Sequence, residues 1–268
     1  MDLSRVRLIA VDMDGTLLDP RHEVNPDFWD LYRRLEAAGI VFAAASGRQY
    51  DSILEKIGRV GASLAVLGEN GAYAQYHGET LVKTVLPQGA LPDILRRLRA
   101  NSDVEAVLCG PHMAYVHSER TDFLRFMAEF YAAHTAVDDL ARVDDDIVKV
   151  ALYHPTDSEG HIYPHFHDLE PGLKVKVSSK YWVDLSHPDA NKGHALRLLQ
   201  ERLGVTAAET LAIGDYNNDL EMLAAADYSF AMANAHPNVR AAAKYATGGN
   251  DEGGVEAVLR QVLAAHGA

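Results

Sequence analysis

Leu8-Ile9-Ala10-Val11-Asp12-Met13-Asp14-Gly15-Thr16-Leu17-Leu18 is the stretch that decides the fold of this chain. A short apolar run reads as a buried strand of a parallel sheet, and two carboxylates stand where that strand should end. In open α/β sheets, ligands bind at the carboxyl ends of the strands. Acids at i and i+2 face the same side if the extended backbone continues. Gly15 and Thr16 then suit a turn whose backbone N–H groups face an anion. Crowded carboxylates are costly unless a cation lies between them or one keeps its proton. Both remedies serve chemistry on a phosphate ester.

Outward from that stretch, the first 76 residues alternate strand and helix. Asn25-Pro26 reads as an N-cap followed by proline at the first helical position. Phe28, Leu31, Tyr32 and Leu35 give an apolar helical face, which Gly39 closes. Ile40–Ala45 is a second buried strand ending at Ser46-Gly47-Arg48, and Leu64–Leu67 a third ending at Glu69-Asn70-Gly71. This βαβαβ order demands a parallel sheet with right-handed crossovers. The middle differs. His77-Gly78 reads as a hairpin turn, residues 88–100 as a helix disturbed by Pro92, 104–109 and 113–118 as short strands, and 121–132 as a helix. A strand-helix-strand-strand set follows over 147–185, so this stretch predicts an α+β module with an antiparallel sheet. The α/β alternation resumes with a helix near Lys192, strands at Thr210–Ile213, Tyr228–Ala231 and Lys244–Ala246, and a terminal helix over 254–265. The expected fold class is therefore α/β, a Rossmann-like parallel-sheet core in two parts, 1–85 and 187–268, with an α+β insertion over 86–186.

Composition narrows the function. The 268 residues are enough to bury a large core, and 48% hydrophobic with 24% charged residues is ordinary for a soluble globular protein. With 25 basic against 38 acidic residues the formal net charge is −13, which suits neither a nucleic acid polymer nor an anionic membrane. Cys109 is the single cysteine, so no intrachain disulfide forms and a reducing compartment is expected. The apolar stretch Val6–Val11 is too short for a bilayer span or a signal h-region. A cytoplasmic protein, monomeric or a small homo-oligomer, is the expectation.

Polar residues now stand at several strand or helix ends: Asp12 and Asp14, Ser46, Lys192, and Asp215 with Asn218 and Asp219. Each alone is weak: Ser46 could be a turn residue, and Lys192 a solvated lysine near an N-cap. Their order within a doubly wound pattern is more specific. The chain resembles the haloacid dehalogenase superfamily of aspartate-nucleophile phosphotransferases, in detail its Cof-type members with a type IIB cap. The resemblance runs through D-x-D-G-T-L-L at 12–18, Ser46-Gly47-Arg48 and Glu69-Asn70-Gly71-Ala72. It continues with Lys192-Gly193-His194-Ala195-Leu196 and Gly214-Asp215-Tyr216-Asn217-Asn218-Asp219, followed by Met222-Leu223. Ala231-Met232-Ala233-Asn234-Ala235 departs from the family's Met-Gly-Asn-Ala at Ala233, which predicts a locally altered loop.

The resemblance implies a Mg²⁺-dependent phosphomonoester hydrolase acting on small phosphorylated metabolites, above all sugar phosphates. Asp12 would be the nucleophile, and Asp14 the general acid and base. Asp12, Asp215 and the backbone carbonyl of Asp14 would hold Mg²⁺, while Ser46, Lys192 and Asn218 would hold the phosphoryl oxygens. The physics agrees: a carboxylate is a competent nucleophile when phosphoryl charge is neutralised, and Mg²⁺ takes hard oxygen ligands. Asp219 is read as sitting near the metal or supporting the loop, Arg48 as a local partner, and Glu69-Asn70-Gly71 as a structural turn. The insertion would be the cap that sets substrate choice. His154, His161, His165 and His167 invite a second metal site, but no cysteine is nearby and surface or interdomain roles are favoured. Tyr115, Phe123, Phe126 and Tyr131 read as the insertion's own core. Two alternatives stay open: a phosphomutase or phosphotransferase on sugar phosphates, and a non-catalytic phosphometabolite-binding module. Ser46 lacks the G-x-S-x-G elbow of a serine hydrolase.

Overall fold

Alternating apolar strands and amphipathic helices bury their hydrophobic residues against two sheets. The computed structural model describes residues 1–58 and 63–268, and these divide into two compact units. The first is Met1–Ser46, Ile53–Val82 and Asn191–Ala268; the second is Gly47–Ser52 and Lys83–Ala190.

In chain order the opening elements are β1 (Leu8–Asp12), α1 (Phe28–Ala37), β2 (Val41–Ala45), α2 (Tyr50–Ile57), β3 (Ala65–Gly68), β4 (Tyr73–Tyr76) and β5 (Glu79–Lys83). Next come α3 (Ala90–Arg99), β6 (Glu105–Cys109), β7 (Ala114–Val116), α4 (Thr121–Met127), β8 (His134–Ala136) and β9 (Lys149–Tyr153). They lead to α5 (Ser158–His161), α6 (Tyr163–Phe166), β10 (Lys174–Val177) and β11 (Trp182–Ser186). The chain closes with α7 (Lys192–Leu203), β12 (Thr210–Gly214), α8 (Leu220–Ala224), β13 (Tyr228–Ala231), α9 (Pro237–Ala242), β14 (Tyr245–Ala246) and α10 (Gly254–His266).

Among the described residues the first unit carries an eight-stranded sheet in the order β14-β13-β12-β1-β2-β3-β4-β5. Pairing is parallel from β14 through β3, and β4 returns antiparallel to β3. β1 and β12 are buried at every position, as expected for strands covered on both faces. Register does the positioning. Asp12 pairs with Ala45, Ala45 with Leu67, and Val11 with Ile213. Ser46 and Asp215 therefore each lie one residue beyond the level of Asp12, on the two strands flanking β1.

α1 buries Phe28, Leu31, Tyr32 and Leu35, the face read from the sequence, with Phe28 edge-on to Phe42 at 5.2 Å between ring centroids. It starts later than Asn25-Pro26 suggests. Asn25 caps a preceding turn instead: its Oδ1 accepts from the Asp27 N–H at 3.0 Å and its carbonyl from the Phe28 N–H at 3.0 Å. The hairpin at His77-Gly78 forms with φ of 51° and 75°, the left-handed pair that suits a two-residue hairpin.

The second unit holds a six-stranded sheet, β10-β11-β9-β6-β7-β8. Its strands are antiparallel except β7 and β8, which pair in parallel, so the expectation of a purely antiparallel sheet is corrected. On one sheet face α3 and α6 supply Ile94, Leu95 and Phe166; on the other α4 supplies Phe123 and Met127. The aromatics expected to share one core divide between these faces. Phe123, Phe126 and Tyr131 join Tyr153 and Trp182, whereas Tyr115 packs on the opposite side. There its hydroxyl donates to Asp145 at 2.8 Å.

α4 stops at Met127 instead of running to 132, and the backbone beyond it bonds to the segment after Ser46. Arg48 donates to the Glu129 carbonyl at 2.7 Å, Ser52 to that of Phe130 at 2.7 Å, and Gln49 to that of Ala133 at 2.9 Å. Ser52 Oγ and Gln49 Oε1 accept in return from the N–H groups of Ala132 and Ala133. Lys149, buried, donates to the Gly47 carbonyl at 2.9 Å. The short segment after Ser46 is thus zipped into the second unit.

His165 and His167 lie on α6 and the 3-10 turn after it, with Pro164 suited to the first helical turn. Among the described residues no histidine belongs to a group of at least three converging ligands. His154 stacks instead on His161, with centroids 4.1 Å apart. Its Nδ1 faces the Thr156 and Asp157 N–H groups, each at 3.4 Å, so that nitrogen is the unprotonated one. Burial, then the charge of His161, push the His154 pKa below the ordinary 6.5, with Asp103 and Asp157 opposing. Above pH about 6.5 the folded and unfolded chains both hold this ring neutral; below it the unfolded chain takes up a proton first, and stability falls. Thermal unfolding followed between about pH 7.5 and 5.5 should show this loss, and His154→Gln should flatten the profile.

Candidate active site

The candidate site forms where the central strands of the first unit end. Asp12 closes β1 with its carboxylate buried. Lys192 is the first residue of α7, entered through Asn191, whose Oδ1 caps the His194 N–H at 2.7 Å. The lysine is fully buried. Its Nζ donates to Asp12 Oδ1 at 2.5 Å and to Asp219 Oδ1 at 2.7 Å. Asp219 Oδ2 accepts from the backbone N–H groups of Asp215 and Tyr216 at 3.0 and 3.1 Å. Both oxygens of Asp219 are therefore engaged, one orienting the lysine and the other the loop after β12.

Electrostatics follow from this crowding. Burial, then the negative charges of Asp219 and Asp215, push the Asp12 carboxyl well above the usual carboxylate range, against the pull of Lys192. Asp215 is pushed up to about 7, by burial first and Asp219 second. Burial works against the charge of Lys192, but Asp12 and Asp219 outweigh it and hold the ammonium above its ordinary value. Asp12 Oδ2 is buried and takes no hydrogen bond. Ligand oxygens of Asp12, Asp215 and Asp219 lie within 4.8 Å of one another. Excess negative charge with an orphaned carboxylate oxygen is relieved by a proton or a hard cation. The donor set, all oxygen, fits a divalent ion such as Mg²⁺, to which Asp12 and Asp215 would each contribute a carboxylate.

The loop after β1 curls back on itself. Gly15 has φ of 80°, and a Cβ there would run into the Asp215 carboxylate, so only glycine lets the chain pass. Thr16 Oγ1 donates to Asp215 Oδ1 at 3.4 Å. Asn234 Nδ2 donates to the Gly15 carbonyl at 2.8 Å. Ala233, where glycine was expected, stays out of the left-handed region and donates its N–H to the Gly248 carbonyl at 3.2 Å. Asp14 is half-exposed and pairs with His22, whose Nδ1 lies 3.1 Å from Asp14 Oδ1. Ser46 and Asn218 are joined through one residue. The Asn70 N–H donates to the Ser46 carbonyl at 2.9 Å, and Asn218 Nδ2 donates to Asn70 Oδ1 at 3.0 Å.

So the structure gathers Asp12, Lys192, Asp215 and Asp219 directly, and links Ser46 with Asn218 through Asn70. Sequence reading missed His22, Thr16, Asn70 and Asn234 as neighbours of these groups. Thr16 and Asn70 sat inside motifs quoted for other residues, while His22 offered no spacing signal. Arg48, read as a local partner, is buried with its guanidinium 5.0 Å from the Phe130 ring centroid.

A family model for haloacid dehalogenase-like hydrolases matches residues 9–259. The chain belongs to that family. It is 33% identical over 261 residues to the 5-amino-6-(5-phospho-D-ribitylamino)uracil phosphatase of Escherichia coli, covering 96% of each chain. Among solved structures, a Streptococcus mutans protein superimposes with a TM-score of 0.88 at 28% identity, over 97% of this chain and 99% of that one. A subclass IIB sugar phosphatase of the same superfamily superimposes with a TM-score of 0.83, over 96% of this chain and 98% of that one; at 19% identity this is a likeness of fold. This chain is accordingly a phosphatase of small phosphorylated metabolites.

Asp219→Ala should leave a buried ammonium with one partner and two backbone N–H groups without an acceptor. Removing one member of a buried charge group typically destabilises by about 3 kcal/mol or more, which denaturant unfolding would measure directly.

Proposed function

We propose that this phosphatase hydrolyses phosphomonoesters of sugars and related polyols with Mg²⁺, through an aspartyl phosphate on Asp12. The observation that carries this reading is the divided Asp12 carboxylate, one oxygen on Lys192 and the other buried without a hydrogen bond. A nucleophile needs one oxygen free to attack while its charge is held in place. The polyol preference rests on the Escherichia coli relative, whose name specifies a 5-phospho-D-ribityl ester.

Asp12 attacks phosphorus in line, forming its own O–P bond as the bond to the leaving alkoxide breaks. Asp14, protonated, gives its proton to that alkoxide. A water then attacks the phosphorus of the aspartyl phosphate, Asp14 takes its proton, and Asp12 is released with inorganic phosphate. Lys192 holds one Asp12 oxygen and offers its remaining N–H to a phosphoryl oxygen, joined by Ser46 and Asn218. Bound Mg²⁺, on the Asp12 and Asp215 carboxylates and the Asp14 carbonyl, would supply positive charge against the phosphoryl oxygens.

The insertion, residues 86–186, is assigned the role of a cap that chooses among substrates, because the core residues address only the shared phosphate. A cap of this kind admits one ester and excludes stray water. With a single, buried cysteine we place the protein in the cytoplasm. Among the described residues no helix is long and apolar enough to cross a membrane.

Asp12→Asn should lower Mg²⁺-dependent phosphate release from a generic ester by on the order of a thousandfold or more; full activity would refute the mechanism. Chelation by EDTA should abolish turnover and added Mg²⁺ restore it. Measuring phosphate release beside isomer analysis on a panel of sugar and polyol phosphates separates the hydrolase from a mutase, which would interconvert isomers without net release. Binding without turnover would mark a non-catalytic module.

A further inference from the structure

Glu69-Asn70-Gly71 takes no part in the chemistry above, yet it has the most unusual backbone near the site. All three residues have positive φ, 51°, 55° and 86°. Glycine accepts that region freely and asparagine tolerates it, but a glutamate there is strained. Strain of this kind persists only when the surroundings over-determine it, and it gathers at functional sites.

Each residue of the turn meets a different part of the phosphate-holding set. The Asn70 N–H holds the Ser46 carbonyl at 2.9 Å, just past β2. Asn70 Oδ1 holds the Asn218 amide at 3.0 Å, in the loop after β12. Gly71 presses against the start of α7, where a Cβ would come within 2.9 Å of the Lys192 backbone nitrogen and 2.6 Å of the Asn191 carbonyl carbon. Glu69, fully buried, closes the turn by accepting from the Ala72 N–H at 3.1 Å. Ser46, Asn218 and Lys192 come from three separate stretches of chain, and this one turn touches all three.

An asparagine amide has two N–H donors. Asn218 spends one on Asn70, and its second has no hydrogen-bond partner among the described residues. With the first N–H fixed, the plane of the amide is set and the second points in one direction. A donor aimed before the substrate arrives is worth more than one that must be ordered on binding.

We propose that Asn70 is a positioning residue of the phosphate site: its left-handed backbone places its side-chain oxygen so that Asn218 presents its remaining N–H to a phosphoryl oxygen. The proposal rests on the phosphatase reading above and extends it to a residue that the reaction steps above do not use.

The test is a double-mutant cycle on the full chain with Mg²⁺ present. Asn70→Gly keeps the left-handed backbone and removes the acceptor; Asn218→Ala removes the donor. Readouts are kcat and KM for p-nitrophenyl phosphate, the inhibition constant of inorganic phosphate, and the melting temperature. Losing a positioned hydrogen bond to a charged group lowers kcat/KM by about tenfold, and the inhibition constant should rise with it. In the Asn218→Ala background Asn70→Gly should change these values by less than about twofold, since the partner it acts through is gone.

Equal fold losses in both backgrounds would overturn the proposal and leave Asn70 a general structural residue. An Asn70→Gly enzyme as active as the parent, or an Asn218→Ala enzyme with unchanged phosphate inhibition, would overturn it too. Wild-type turnover together with loss in Asp12→Asn keeps the phosphatase reading intact in each of those cases; a wild type without turnover fails that reading instead. If Asn70→Gly does not fold, Asn70→Ser, whose oxygen falls one bond short of Asn218, completes the same cycle.

Discussion

A single buried ammonium organises the first unit. Lys192 has no solvent, so its charge is tolerable only because Asp12 and Asp219 meet it on two sides. Neither acid would be tolerable there without it. The triad ties together the end of β1, the start of α7 and the loop after β12, stretches far apart in the chain. Packing of the central strands brings those stretches close, and the lysine fixes their mutual angle. Because Asp215 adds a further carboxylate, the group as a whole stays too negative, and that surplus makes it a place for a cation and a phosphoryl group.

Most of the parallel core is legible in the sequence, because strands covered on both faces read as unbroken apolar runs. Leu8–Val11 and Thr210–Ile213 are such runs, and the acids following each stand out for lack of any other reason to be there. Register could not be read, yet it is what sets Ser46 and Asp215 one step beyond Asp12 on opposite sides. The contact of Asp219 with a lysine 27 positions away leaves no spacing signal, so its part in the site is not readable from the sequence. Local readings failed where distant contacts intervened: beyond the early end of α4, the N–H groups of Ala132 and Ala133 serve Ser52 and Gln49 instead of continuing the helix.

Glu69-Asn70-Gly71 shows how a stretch with no reactive chemistry can still shape a site. Its left-handed run would be unfavourable as an isolated turn, and the surrounding contacts hold it. Reactive groups and the groups that aim them thus sit on different segments. Substitutions at Asn70 or Gly71 should therefore affect the site through geometry, without altering any charge.

The pairing of β1 with β12 joins Leu8 to Thr210, and it governs how the chain is born. A ribosome adding about 5–20 residues per second needs on the order of 10–40 s to bring the second strand out after the first. Throughout that wait one edge of β1, an apolar strand built for burial, has no neighbour, a template for unwanted pairing with other nascent chains. The inserted unit has all its strands to hand earlier and can settle while the surrounding sheet is still open. Shielding of that edge until the last quarter of the polypeptide emerges therefore favours correct pairing.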